Sequence, residues 1–165
     1  MNAGMVGIPL FLFSLGWWVK RRFSYRPEFE TELLVQSLVG EVKVSAVRSI
    51  PGTLQGEIIG RGVPGLFYSE DLVVQDETGF MLVDYRQPWR LLEFLFGWVK
   101  AESIIGKRGK ITGWYRRSPR PYFEMRRMEL DNGETITSYY YPFTQFLIYA
   151  GMMLGLVLAA AQVVF

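Results

Sequence analysis

Residues 72–85, LVVQDETGFMLVDY, decide the reading of the fold. Two short runs rich in aliphatic residues, Leu72–Gln75 and Phe80–Tyr85, flank Asp76-Glu77-Thr78-Gly79. Four turn-forming residues between two strand-like runs predict a tight hairpin, with Gly79 supplying a positive φ. Working upstream, Leu54–Gly60 (LQGEIIG) reads as a strand, and Arg61–Phe67 as a loop built on Gly62, Pro64 and Gly65. Working downstream, Pro88 opens a helical stretch that runs to about Ser103, and Gly106 ends it. Lys110–Arg116 and Tyr122–Leu130 are two more strands, turned by Ser118-Pro119-Arg120-Pro121. The order is three strands, a helix, then two strands. That order predicts a mainly β, OB-like barrel of five strands with its helix between the third and fourth. A generic antiparallel sheet with a packed helix is the alternative. Before the barrel, glutamates after Pro27 and Gly40 just past the end predict a short helix over 28–39.

The charges frame this central region. The chain has 165 residues with 18 Lys+Arg and 16 Asp+Glu, and all of these lie between Lys20 and Glu134. A hydrocarbon core about 30 Å thick needs about 20 apolar residues. The uncharged segment 141–165 is long enough for a transmembrane helix, and segment 1–19 is read as another, though it holds Gly7, Pro9 and Gly16. The domains are therefore a transmembrane helix (1–19), a basic flank with a short helix and connector (20–52), an OB-like cytoplasmic domain (53–140) and a second transmembrane helix (141–165). Lys20-Arg21-Arg22 come directly after the first span, so the positive-inside rule places the central domain in the cytoplasm and both termini outside. Trp17, Trp18 and Tyr139–Tyr141 stand at the inner ends of both segments, where aromatic belts form. Gly151, Gly155 and Ala159 recur at four-residue spacing, a surface on which a second helix can approach closely. Its partner is a second copy, the N-terminal segment or another membrane protein.

Composition narrows the chemistry. The chain has neither cysteine nor histidine. A zinc finger, an HExxH metalloprotease site, a Ser–His triad, a thiol nucleophile and a disulfide are all ruled out for these residues. No catalytic, cofactor-binding or metal-binding residue is assigned. Gly60-Arg61-Gly62-Val63-Pro64-Gly65 fits G-x-G-x-x-G by letter, but the residues after it read as loop and strand instead of the helix a dinucleotide site requires. Asp76-Glu77-Thr78-Gly79 lacks the second aspartate loop that an aspartic protease needs. Glu70, Asp71, Asp76 and Asp84 read as solvated loop carboxylates rather than ligands for a hard cation.

Two segments suggest contacts instead. Arg116, Arg117, Arg126 and Arg127, interleaved with Trp114, Tyr115, Tyr122 and Phe123, form a basic, aromatic hairpin. Single-strand-binding OB-folds use that combination. In a membrane-tethered chain the rings are read as barrel filling and the arginines as a surface facing anionic headgroups, which disfavours nucleic acid as partner. The helix PWRLLEFLFGWVKAES shows one narrow non-apolar stripe of Arg90, Glu93, Gly97 and Lys100. The other residues from Trp89 to Val99 are apolar, more than a barrel can cover, and Trp89, Leu92, Phe96 and Trp98 are the expected interface to a bilayer or a protein.

The stretches GEIIGRGVPGLFYSEDLVVQDETGFMLVDYRQP, LLEFLFGWVKAESIIGKRG and GWYRRSPRPYFEMRRMEL resemble a region of HtpX-like membrane zinc metallopeptidases, especially archaeal members. The resemblance spans roughly residues 45–150. It implies an OB-like, non-catalytic segment that accompanies a peptidase domain. The family's catalytic HExxH motif has no counterpart here, so no catalytic residue carries over. The chain is then either an excerpt of a larger protease or a stand-alone relative holding only the accessory part. The expectation is a non-enzymatic accessory or interaction module in the cell membrane, partnered by a membrane peptidase subunit or by itself. A membrane-tethered single-strand binder and a self-associating scaffold are the competing readings.

Overall fold

A computed structural model describes residues 3–62, 71–118 and 120–164. The chain divides into two compact units, one of residues 24–140 and one of residues 1–23 with 141–165. The second of these holds nearly all of α1 (Ala3–Ser24). The first holds β1 (Glu32–Leu33), α2 (Val35–Gly40), β2 (Ile50–Arg61), β3 (Leu72–Gln75) and β4 (Phe80–Asp84). It continues through α3 (Arg90–Val99), α4 (Ala101–Ile104), β5 (Arg108–Arg117), β6 (Pro121–Leu130) and β7 (Thr135–Thr137). Helix α5 (Tyr140–Val164) comes after β7.

Five strands close a ring. β2 pairs antiparallel with β3, β3 with β4, and β6 with β5; β4 runs parallel to β6, and β5 returns to β2. The ring order β2-β3-β4-β6-β5, with a helix between its third and fourth strands, is an OB-type barrel. β1 adds a parallel strand to β2 and β7 an antiparallel one to β6. Closure results from side-chain period: Leu72 and Val74, Met81 and Val83, and Ile111 point inward with Leu54, Ile58, Phe123, Met125 and Met128, all nearly or fully buried. At Gly113 the register of β5 on β6 shifts, and a Cβ there would collide with the carbonyl oxygen of Glu124. The backbones approach so closely that only glycine fits the bulge.

Several sequence expectations are corrected. Residues 28–39 do not form one helix: Glu32–Leu33 extend the sheet, and the helix begins at Val35 and includes Gly40. The cause is tertiary. Thr53 donates its amide to the Thr31 carbonyl (2.9 Å), and the β3–β4 turn caps α2, with Asp76 Oδ2 accepting from Val35 N (2.8 Å) and Thr78 Oγ1 from Gln36 N (3.1 Å). That same turn needs no left-handed residue. Asp76 Oδ1 accepts from the amides of Thr78 and Gly79 at 2.7 and 2.8 Å, and among the described residues only Gly106 and Gly133 have positive φ. The stretch from 88 to 103 divides into α3 and α4 at Lys100. β7 is an addition to the five expected strands; a turn through Asn132-Gly133 folds three residues back onto β6. The loop reading of 61–67 and residue Glu70 fall largely outside the described residues.

One helix among the described residues is long and apolar enough to cross a membrane: Tyr140–Ala161, 22 residues with a mean hydropathy of 1.8. The N-terminal segment is also helical, but α1 does not meet that measure. Its uncharged part, residues 3–19, sits at the short limit of a span and is diluted by glycine and proline, and the helix runs on through Lys20-Arg21-Arg22 to Ser24.

Candidate functional site

Helix α3 presents the most unusual surface of the barrel unit. Pro88 precedes it, and Glu93 in its first turn reaches back so that its Oε1 accepts from Gln87 N at 2.8 Å. At the other end Lys100 Nζ meets Glu134 Oε1 at 2.5 Å. Gly97 is buried, and Phe96, 8% exposed, lies on the Tyr85 ring with centroids 4.0 Å apart. Residues 93, 96, 97 and 100 thus share the face turned to the barrel. Three of the four residues of the polar stripe read in the sequence therefore point inward. The outward face holds Leu91 (67% exposed), Leu95 (40%), Trp98 (61%) and Val99 (72%), which successive turns of the helix bring to one side. Of the expected interface residues, Trp89, Leu92 and Trp98 are exposed and Phe96 is not. Phe96 is a core residue, because burying one large ring is what seats the helix on the barrel. Leu91, Leu95 and Val99 complete the outward face; their spacing was legible, but the sequence does not say which side of an almost wholly apolar helix turns in.

The basic hairpin does not form one surface. Arg116 is 3% exposed, so its assignment to the surface is corrected. Its Nε donates to Glu124 Oε2 at 2.5 Å, its two terminal nitrogens donate to the carbonyls of Ala46 and Ser24, and its guanidinium lies 4.5 Å from the centre of the Tyr25 ring. Tyr25 in turn donates to Glu124 Oε1 at 2.9 Å. Burial, and then the Glu124 charge, push the Tyr25 hydroxyl well above the usual tyrosine range. A doubly liganded carboxylate of this kind satisfies the buried charge it pairs with. Arg126 stands 5.2 Å from the Phe29 ring, Arg127 is exposed and pairs with Glu129 at 3.1 Å, and Arg117 is half-buried. Of the rings on which a single-strand binder would stack bases, Trp114, Tyr115 and Phe123 are interior, each at most 1% exposed, and Tyr122 is half-buried; Trp114 Nε1 donates to the Arg26 carbonyl at 2.8 Å.

The acidic residues are engaged locally. Burial raises the Asp84 carboxyl pKa, against the pull of the Arg86 guanidinium 2.7 Å away. Burial also opposes ionisation of Asp76, yet the hydrogen bonds from Val35, Thr78 and Gly79 hold its carboxyl below the ordinary range. Among the described residues no group of three or more acidic side chains is arranged to hold a metal ion. Gly60 and Gly62 of the G-x-G-x-x-G string stand at the end of β2, and the rest of the string lies outside the described residues.

In the helical unit the small residues of α5 face α1. A Cβ on Gly155 would meet Phe11 N at 2.7 Å and Gly7 O at 2.9 Å, and one on Gly151 would meet Ser14 Oγ at 2.5 Å. Ala159 backs onto Gly7, where a Cβ would lie 2.6 Å from the Ala159 nitrogen. The seam thus receives the N-terminal helix, one of the three partners expected for it. Arg21, which is buried, closes the other end by donating to Thr144 Oγ1 at 2.5 Å and to the Tyr141 carbonyl, with its guanidinium 4.1 Å from the Tyr141 ring centre.

No family description matches this chain, and no curated protein matches it. Among solved structures, the hypothetical protein ygiW from E. coli is similar over 66% of this chain and 96% of its own, at 16% identity and a TM-score of 0.42.

Proposed function

We propose that this chain is a membrane-anchored, non-catalytic OB module that serves as the accessory or interaction domain of an HtpX-like membrane zinc peptidase. The observation that carries the reading is the direct continuation of the barrel's last strand into a helix able to span a bilayer: β7 ends at Thr137 and α5 begins at Tyr140. So short a connection holds a tethered barrel close to the membrane surface, where the intramembrane and juxtamembrane parts of a membrane peptidase are found. The packing of α1 on the small-residue face of α5 supports a two-helix anchor with the barrel as the loop between its spans. Lys20 and Arg22, exposed at the end of α1, support a cytoplasmic barrel with both termini outside. The link to peptidases rests on the strings GRGVPGLFYSEDL and GWYRRSPRPY, which resemble the accessory, OB-like part of such proteins.

The scaffold reading is weaker, because the small residues that would join two copies are occupied by α1. The test is purification of the tagged full chain from membranes of its source in mild detergent. Recovery of an HExxH-bearing membrane protein in near-equal amount is the expected result. Recovery of the chain alone, as an oligomer, overturns the peptidase assignment in favour of a scaffold.

A further inference from the structure

We propose that the outward face of α3, formed by Leu91, Leu95, Trp98 and Val99, is a membrane-docking surface that lies in the interfacial layer of the same bilayer that α5 crosses. The inference rests on the anchored reading of α5 and adds a second, peripheral contact to it.

Two independent observations converge. The first is the inversion of the helix. An ordinary surface helix turns its apolar side to the core and its charges to water. Here Glu93 and Lys100 are drawn toward the barrel side by Gln87 N and Glu134, while the four residues of the opposite face are all hydrocarbon or indole. An exposed strip of Leu, Val and Trp on a helix lying along a surface is the composition that buries about 5–10 Å into the headgroup–acyl boundary.

The second is where α3 is rooted. Gln87 is buried, and its side-chain amide donates to the Thr137 carbonyl at 3.1 Å while its Oε1 accepts from the Tyr139 amide at 3.3 Å. Ser138 Oγ donates to the Arg86 carbonyl at 2.5 Å. The segment that leads into α5 is therefore stitched to the residues that lead into α3. Tyr140, the first residue of α5, is one residue beyond this latch, and Arg90, the first of α3, is three residues beyond it on the other side. Three residues reach at most about 10 Å. Once α5 enters a bilayer, the start of α3 is confined near the same surface. A lipid interface thus lies within reach of the face, and its chemistry matches: acyl carbon for the leucines and valine, and the headgroup boundary for the indole.

The chain's lack of cysteine makes a direct test clean. Single-cysteine variants Leu91→Cys, Trp98→Cys and Val99→Cys carry an environment-sensitive fluorophore in the full chain, reconstituted into phosphatidylcholine vesicles. Leu156→Cys on α5 and Lys110→Cys on the barrel are the references. The expected result is blue-shifted emission at the three α3 positions, with strong quenching by nitroxide-bearing lipid and weak quenching by aqueous iodide. Leu156→Cys should be quenched by the lipid probe, and Lys110→Cys by iodide only. If Leu156→Cys responds to lipid while the α3 labels respond only to iodide, the docking surface is refuted and the anchor stands. If the α3 labels are shielded from both quenchers, protein covers the face and the lipid assignment is overturned. If Leu156→Cys is not quenched by lipid, the anchored reading itself fails, and the docking inference falls with it. Three separate α3 positions keep the outcome readable should one variant not fold.

Discussion

Glu124 is held between the Arg116 guanidinium and the Tyr25 hydroxyl in a site where Arg116 and Glu124 are each 3% exposed. Removing one member of a buried pair strands the other charge, at about 3–5 kcal/mol. Arg116→Met is therefore expected to lower barrel stability by an amount in that range, read by denaturant unfolding in detergent. The double variant Arg116→Met with Glu124→Met should lose less than Arg116→Met alone, because it leaves no orphan charge; a simple sum of the two single losses would mean the groups do not interact. Asp76 provides the complementary pH test. Its folded pKa is depressed, so it favours the folded state above the unfolded value, near pH 4, and that contribution is lost as pH falls through the folded value. Acid should thus loosen the α2 cap, and Asp76→Asn should flatten the dependence of stability on pH below about 4 while lowering stability at neutral pH. An unchanged acid slope in Asp76→Asn would assign the effect to other carboxylates. Neither role was visible in the sequence. Arg116 belongs to a set of four arginines on two paired strands, and only burial separates it from Arg127.

At the scale of elements, α3 separates the two jobs one helix can do. Phe96→Ala removes the ring that packs on Tyr85, and large-to-small changes of this kind cost about 3–5 kcal/mol in a core. Trp98→Ala removes a more massive side chain from the exposed side and should change unfolding of the detergent-solubilised chain by no more than about 0.5 kcal/mol. Similar losses from the two substitutions would mean that Trp98 is covered within the folded chain. The barrel strands were legible because each carries a period of two or a run of aliphatics bounded by turn residues: Leu72–Gln75 matched its expected limits, and Phe80–Asp84 and Pro121–Leu130 matched within one residue. The segment 28–39 misled because its glutamates and Gly40 mimic helix ends, while the bonds that pull Glu32–Leu33 onto β2 come from residues more than twenty positions away. The face of α3 was half legible. Excess apolar surface could be counted from sequence, but its direction depends on Gln87 and Glu134, which fix Glu93 and Lys100 from outside the helix.

For the molecule as a whole, the anchored reading makes topology depend on the number of spans, and α1 decides that number. Its uncharged length is marginal, yet Gly7 and Ser14 lie against Ala159, Gly155 and Gly151 so closely that the two helices form a hairpin. An ideal Cβ at Gly151 would lie 3.5 Å from Ser14 Cβ, within the range of a disulfide. Ser14→Cys with Gly151→Cys should therefore form an intramolecular bond on oxidation in membranes, seen as a mobility shift that reductant reverses. Adding Gly155→Leu, which drives a side chain into the backbone of Phe11, should abolish it. A hairpin of this sort has a consequence for sidedness. If α1 spans together with α5, the positive residues Lys20 and Arg22 keep the barrel inside and carry residue 2 outside. In intact cells a membrane-impermeant maleimide should then label Asn2→Cys but reach Lys110→Cys only after permeabilisation. If both positions need permeabilisation, α1 packs on α5 without crossing, and the anchor has a single span. The opposite labelling, with Lys110→Cys reached from outside, would reverse the orientation and remove the cytoplasmic barrel that the positive flank of α1 predicts.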